Sequence, residues 1–234
     1  MRISQFLSQA GITSRRKAEK LVLKGLVRVN GKVIRDLSYK INPYKDTVLF
    51  DGKKIELKKD RNYFIFYKPV NVLTASNDRY GRKLVKDYFK DFKGRLFPAG
   101  RLDYNSEGLL IMTDDGELTY RLTHPRYEVE KEYIVYYEGI LGDELETLLY
   151  GIKVGDDFLK AEYIERIGKN KIRVILKEGK KREIRRMLGA IGCKVKRLIR
   201  VREGPIRLGN LKEGESRRLT KREIEILKKA VGLD

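Results

Sequence analysis

The stretch Gly100-Arg101-Leu102-Asp103-Tyr104-Asn105-Ser106-Glu107-Gly108-Leu109-Leu110-Ile111-Met112-Thr113 is the most informative in the chain. Two glycines bracket a polar turn, and the unbroken apolar run behind it is short, as suits a buried strand. Similar runs stand at Tyr63-Phe64-Ile65-Phe66-Tyr67, closed by Lys68-Pro69, and at residues 133–137, 172–176 and 195–201. Helical signals lie between and after them. Asp143 and Glu146 form a capping box for a helix ending before Gly151, and residues 182–191 place Ile184, Met187, Leu188 and Ile191 on one face. Thr220 and Glu223 cap a last helix carrying Ile224 and Leu227. Many strands with few helices and no strict βαβ rhythm predict an α+β domain built on a mostly antiparallel, mixed sheet.

Upstream, the first sixty residues read as a separate small unit. Ile3, Phe6, Leu7 and Ala10 follow helical spacing up to Gly11, and Thr13 or Ser14 opens a second helix with Ala18, Leu21 and Val22 inside. Asn30-Gly31 and Asp51-Gly52 each sit between alternating residues, the strongest short signal for a tight hairpin. The charged stretch Lys58-Lys59-Asp60-Arg61-Asn62 reads as a linker. The expected division is therefore residues 1–58 and 62–234.

The chain of 234 residues carries a formal net charge of +20 and a pI near 9.9. Such a field attracts a polyanion, and neutralising phosphates releases their counterions, so nucleic acid is the expected partner. A membrane is not expected, because the basic residues are interleaved with acids and no apolar run approaches the ~20 residues of a bilayer span. The N-terminus lacks a secretory signal, which makes the cytoplasm the expected location. In the first unit, Arg15, Arg16, Lys17, Lys20 and Lys24 crowd one helix with Arg28 just beyond, and Glu19 is the only acid among them. That is a solvated face or, given the scarcity of acids, an RNA contact.

Few enzyme classes survive inspection. There is no phosphate loop, no Rossmann glycine pattern and no zinc signature. Cys193 is the only cysteine, so an internal disulfide and a multi-cysteine zinc site are excluded, and with the latter the zinc nucleobase deaminases. The only histidine, His124, sits in Thr-His-Pro-Arg and reads as a partly exposed structural residue, while Cys193 reads as a small buried one. A carboxylate remains. By spacing alone, Asp103 is an ordinary turn or cap aspartate.

Resemblance changes that reading. Ile3-Ser4-Gln5-Phe6-Leu7, Gly11-Ile12-Thr13-Ser14-Arg15-Arg16-Lys17-Ala18 and Gly25-Leu26-Val27-Arg28-Val29-Asn30-Gly31-Lys32 resemble the αL RNA-binding domain, which occurs in a ribosomal protein and in several RNA-modifying enzymes. This implies RNA contacts from Arg15, Arg16, Lys17, Lys20, Arg28 and Lys32. Gly100-Arg101-Leu102-Asp103, Ser106, Gly108-Leu109-Leu110 and Thr113-Asp114-Asp115-Gly116 resemble the catalytic motif of RNA pseudouridine synthases, in the branch that modifies bacterial ribosomal RNA and carries an αL domain. Glu130-Lys131-Glu132-Tyr133 and Glu178-Gly179-Lys180-Lys181-Arg182-Glu183-Ile184-Arg185-Arg186 are similar to that family's other two motifs, in its order.

The resemblance implies that Asp103 is the nucleophile, that Arg185 pairs with it and keeps it ionised, and that Tyr133 stacks on a flipped-out uracil and serves proton transfer at C5. Arg101, Arg182 and Arg186 are implied RNA contacts. Isomerisation transfers no group and changes no redox state, so no cofactor or metal is implied. Ribosomal RNA is the implied partner, free or in assembly intermediates, and Tyr80-Gly81-Arg82-Lys83 with residues 124–130 are similar to members acting on the large subunit. Small-subunit RNA and tRNA are alternatives within the family.

Three positions depart from the family pattern: Ser106 replaces threonine, Asn71 a glycine, and Glu183 a glutamine. Asn71 is expected to keep a left-handed turn, and Glu183 to compete for Arg185. Two rival functions are a non-catalytic assembly factor and a glycosidase-like hydrolase pairing Asp103 with Glu107.

Overall fold

The computed structural model describes residues 1–57, 60–140, 142 and 144–233. Lys58, Lys59 and Asp143 lie outside them, so part of the expected linker and the expected Asp143 cap are not described. The chain divides into two compact units.

The first comprises Met1–Asn62 with Phe92–Arg95 and Asp114–Gly116. It holds α1 (Ile3–Gln9), α2 (Arg15–Leu23), β1 (Val27–Val29), β2 (Lys32–Ile34), β3 (Val48–Phe50) and β4 (Lys53–Ile55). Ser14 accepts from the Lys17 N–H and caps α2, satisfying one of the N–H groups a helix start leaves unpaired. Asn30 and Asp51 stand at φ 49° and 47°, each followed by a positive-φ glycine, and close the β1–β2 and β3–β4 hairpins as the Asn-Gly and Asp-Gly pairs predict. Ile3, Phe6, Leu7, Ala18, Val22, Val27 and Val48 form its core.

The second unit contains β5 (Tyr63–Lys68), β6 (Phe97–Ala99), β7 (Glu107–Thr113), α3 (Gly116–Thr123, beginning at the edge of the first unit), β8 (Lys131–Glu138), α4 (Glu144–Tyr150), β9 (Ile152–Val154), β10 (Asp157–Leu159), β11 (Tyr163–Gly168), β12 (Lys171–Leu176), α5 (Glu183–Ala190), β13 (Lys194–Glu203), β14 (Ile206–Arg207), β15 (Ser216–Arg218) and α6 (Lys221–Ala230). Its main sheet runs β11-β12-β8-β13-β7-β5-β15, with β14 beside β13 and β6 beside β7. Every pairing is antiparallel except β13 with β7. All of β7 is buried because the sheet is covered on both faces. Leu110 and Met112 pack with Leu145, Ile184 and Met187, while Leu109 and Ile111 pack with Leu118, Leu122 and Leu227. A strand covered on two faces reads as a continuous apolar run rather than an alternation. Among the described residues no helix is long and apolar enough to cross a membrane.

Candidate active site

Asp103 sits in the turn between β6 and β7, and its backbone is fixed on every side. The Asp103 carbonyl accepts from Ser106 N–H at 3.1 Å, and the Tyr104 carbonyl from Asn71 N–H at 2.8 Å. Thr74 Oγ1 donates to the Leu102 carbonyl at 2.9 Å. Asn71 is left-handed, φ 60°, as expected of the residue in a glycine's place. From beneath, the Lys68 ammonium, wholly buried at the end of β5, donates to the Pro69 and Ser106 carbonyls at 2.8 and 2.7 Å. Burial pulls Lys68 down to about 8, with Asp103 and Glu107 opposing the drop.

The turn opens onto a cavity of about 610 Å³ lined by Thr74, Arg101, Asp103, Tyr104, Ser106, Tyr133, Arg182, Glu183 and Leu198 among others. Asp103 is half-buried, and its carboxylate has no hydrogen-bond or ion-pair partner among the described residues. Tyr133, 8% exposed, enters from β8 opposite Arg200 of β13. Burial pushes its phenol up, and the neighbouring Arg200 guanidinium opposes that. Arg200 is itself buried and donates to the Leu109 carbonyl at 2.7 Å.

The expected Arg185–Asp103 ion pair is not formed. Arg185 donates instead to the Val195 carbonyl at 3.0 Å and the Asn105 carbonyl at 2.8 Å, so it braces the backbone two residues beyond Asp103. Burial and then the neighbouring Arg182 charge disfavour the Arg185 guanidinium, and Asp103 opposes them less strongly. The reason is geometric: Arg185 leaves α5 on the Val195 side and borders a second cavity with Asn105, Arg182 and Lys194. Glu183 does not compete for it either. Its Oε2 accepts from Lys180 N–H at 2.9 Å, its Oε1 is buried without a partner, and burial raises its carboxyl.

The remaining basic residues fall into two sets. Arg101 and Arg182 are exposed and line the cavity, Arg182 in a left-handed conformation at the start of α5. Arg186 donates to Asp157 at 2.7 Å and to the Val154 carbonyl, tying α5 to the β9–β10 hairpin, and is not among the cavity-lining residues. In the first unit, Arg15, Arg16, Lys17 and Lys20 are exposed on α2 with no ion-pair partner among the described residues. Arg28 and Lys32 are exposed on β1 and β2.

Glu107 accepts from Arg197 through both oxygens, at 2.6 and 3.0 Å, and from the Tyr67 hydroxyl at 3.0 Å. Burial alone would raise it, but Arg197 and Tyr67 hold it below the usual carboxylate range. It does not line the cavity, so the paired-carboxylate hydrolase has no second acid there in Glu107. His124 is exposed at a helical turn after α3, its Nδ1 accepting from Arg126 N–H at 3.3 Å, and Cys193 is buried. The sequence reading missed Lys68 and Arg200. Lys68 reads in the sequence only as a strand end, and an arginine inside a basic strand carries no signal that it is buried.

A buried tyrosine, an unpartnered carboxylate and two exposed arginines thus meet around one cavity. An RNA pseudouridylate synthase family model matches residues 62–190, and an S4 domain model matches residues 1–44. The chain is 47% identical to an "Uncharacterized RNA pseudouridine synthase" of Aquifex aeolicus (strain VF5), covering 100% of this chain and 96% of the relative. It is 38% identical to "Ribosomal large subunit pseudouridine synthase B" of Bacillus subtilis (strain 168), covering 97% and 95%. A crystal structure of a pseudouridylate synthase superposes with a TM-score of 0.71 at 28% identity, covering 97% of this chain and 99% of that one. The chain belongs to the RNA pseudouridylate synthase family and carries an N-terminal S4 domain. RNA is therefore its substrate class.

Proposed function

We propose that this enzyme isomerises a single uridine of large-subunit ribosomal RNA, in the cytoplasm, on free RNA or an assembly intermediate, with Asp103 as nucleophile. One observation carries the assignment of Asp103. Of the two acids lining the cavity, Glu183 is engaged by Lys180 N–H, whereas the Asp103 carboxylate is unpartnered. The target base leaves its stack, enters the cavity and lies against Tyr133. The Asp103 carboxylate attacks the nucleotide at C1′ or C6, the N1–C1′ bond breaks, the uracil turns, and C5 joins C1′; the bond to Asp103 breaks as C5 displaces the carboxylate from C1′ or, on the C6 route, as the adduct eliminates it. The C5 proton then leaves and N1 gains one, which balances the reaction. Arg185 acts as a positioning residue through Asn105, and Lys68 through Ser106. The large-subunit assignment is supported by the Bacillus subtilis relative's name.

The test is incubation with unmodified transcripts of large-subunit RNA, small-subunit RNA and tRNA, followed by carbodiimide treatment and primer extension. One new stop in the large-subunit transcript is expected. A stop only in another transcript moves the substrate, and none in any of them or in isolated assembly intermediates removes the proposal.

Two further outcomes follow. Alanine at Arg15, Arg16, Lys17 and Lys20 together should reduce the slope of log Kd against log salt by about three, at roughly 0.7–0.9 per phosphate contact. Turnover at saturating RNA should be unchanged; an unaltered slope would take α2 out of the RNA interface.

Lys68 predicts two opposed pH trends. Its folded value of about 8 lies below the roughly 10.4 of an unfolded lysine, so between them the unfolded chain binds more protons and this group makes stability rise with pH. Over the same interval turnover should fall, because the discharged amine holds the Ser106 and Pro69 carbonyls less firmly. Lys68→Met should remove Lys68's contribution to both trends, measured by thermal melts and single-turnover rates from pH 7 to 10. Parallel trends in the wild type would refute the clamp.

A further inference from the structure

Beside the cavity runs a loop, residues 71–83, whose start (Asn71 and Thr74) holds the Asp103 turn and whose tip, residues 76–82, has no part in the roles above. Its ends are pinned by Leu73 N–H to the Lys83 carbonyl at 2.9 Å and by Val85 N–H to the Leu73 carbonyl at 3.0 Å. Its tip is held by Asp78, which accepts from Tyr80 N–H, from Arg82 N–H and from the Arg82 guanidinium at 3.0, 2.9 and 2.7 Å. Lys86 Nζ donates to the Ser76 carbonyl at 2.8 Å. On this fixed frame Tyr80 is 69% exposed and Tyr104, next to Asp103, 38%. The Arg82 guanidinium lies 5.2 Å from the Tyr80 ring centre and 5.8 Å from that of Tyr104, and Arg79 lies 5.2 Å from Tyr80. An exposed aromatic ring flanked by cations, and joined to the cavity-lining Tyr104 through the shared Arg82 guanidinium, is what a stacked base on a phosphate chain requires.

We propose that Tyr80, with Tyr104 and Arg82, is a stacking platform for the single-stranded nucleotides flanking the target uridine, an assignment that rests on the RNA-modifying reading above. The charges favour RNA over a protein partner: Arg79 is exposed without a hydrogen-bond or ion-pair partner among the described residues, and Asp78, the acid of the tip, is engaged by Arg82. The platform is preorganised, so binding a flanking base costs little ordering of the loop. Its function is to hold the strand on either side of a nucleotide that has left its stack, and it is sequence-tolerant because every base has a π face.

The probe is a stem-loop transcript spanning the position modified in large-subunit RNA, with 2-aminopurine placed in turn at the nucleotides 5′ and 3′ of the target. In an Asp103→Asn background, which holds the complex without turnover, 2-aminopurine fluorescence should be quenched at one of these positions. The quench should be lost on adding Tyr80→Leu and kept with Tyr80→Phe. In steady state, Tyr80→Leu alone should raise KM about tenfold with kcat unchanged, and Tyr80→Phe should match the wild type. Pseudouridine formed by Tyr80→Leu with wild-type KM and undiminished quenching would overturn the platform alone, leaving the exposed ring to a protein partner. Equal losses in the leucine and phenylalanine variants would assign the effect to the hydroxyl and also overturn stacking. A wild type that makes no pseudouridine in this RNA would remove the platform together with the function it rests on.

Discussion

Replacing Asp103 with asparagine is expected to lower pseudouridine formation by about 10⁴-fold or more, the scale of losing a nucleophile that nothing else in the site replaces. The amide has the shape of the carboxylate but not its charge or nucleophilic lone pairs. The structure makes the experiment clean. The Asp103 side chain has no hydrogen bond or ion pair to lose, and the turn that carries it is held by the Ser106, Asn71 and Thr74 contacts and the Lys68 ammonium. Melting temperature and RNA affinity should therefore change little. Asp103 also favours the charged forms of Lys68 and Arg185, so the variant's Lys68 should titrate below the wild type's value of about 8. Single-turnover assays on the unmodified transcript, with a melt and a binding isotherm on each variant, would decide the matter. Retention of a tenth of the activity, or a loss that tracks a fall in melting temperature, would mean that Asp103 is a turn residue after all.

What the sequence disclosed and what it withheld separate along physical lines. Elements whose signals are local were legible: the Asn30-Gly31 and Asp51-Gly52 hairpins, the Ser14 cap, the Thr220–Glu223 capping box and the buried run of β7 each follow from a few adjacent residues. α3 was not read as a helix because it opens on Gly116, contains two threonines, and has only Leu118 and Leu122 to form an apolar stripe. β15 reads Ser-Arg-Arg and is exposed throughout; only its pairing with β5 makes it a strand. β9, β10 and β11 are short or charged and lack a clear apolar alternation, although each sits in a tight hairpin, β9 with β10 and β11 with β12. The candidate site divides in the same way. Motif resemblance named Asp103, Tyr133, Arg101 and Arg182, and the structure brings the four around one cavity. It could not say where a guanidinium ends, and the Arg185–Asp103 pair became a brace on Asn105 while Arg186 became a strut to Asp157.

Gly108→Ala should be the most destabilising single-methyl change in the second unit, costing on the order of 3 kcal/mol or more through strain at a special backbone position. Two effects coincide there. Gly108 has φ +105°, a conformation that side-chain-bearing residues rarely adopt. A Cβ would also lie 2.3 Å from the Arg200 carbonyl oxygen and 2.7 Å from the Arg200 nitrogen, both backbone atoms that no rotamer change can move. Gly108 and Arg200 face each other across β7 and β13, the single parallel pairing among the described strands of the main sheet. Opening that pair would shift Arg200 away from the Leu109 carbonyl and from Tyr133 on β8, so the damage reaches the cavity. For a chain of this size, such a loss corresponds to a melting temperature lower by roughly 6–12 °C. The companion change Gly155→Ala serves as control, because its Cβ meets nothing within 4 Å although its φ is also positive, at +64°. The difference between the two variants then reports the clash together with the extra strain of φ +105° over the left-handed φ +64°. If Gly108→Ala melted no lower than Gly155→Ala, the strands would be separating at negligible cost, and the close β7–β13 approach could not be what positions Arg200 opposite Tyr133.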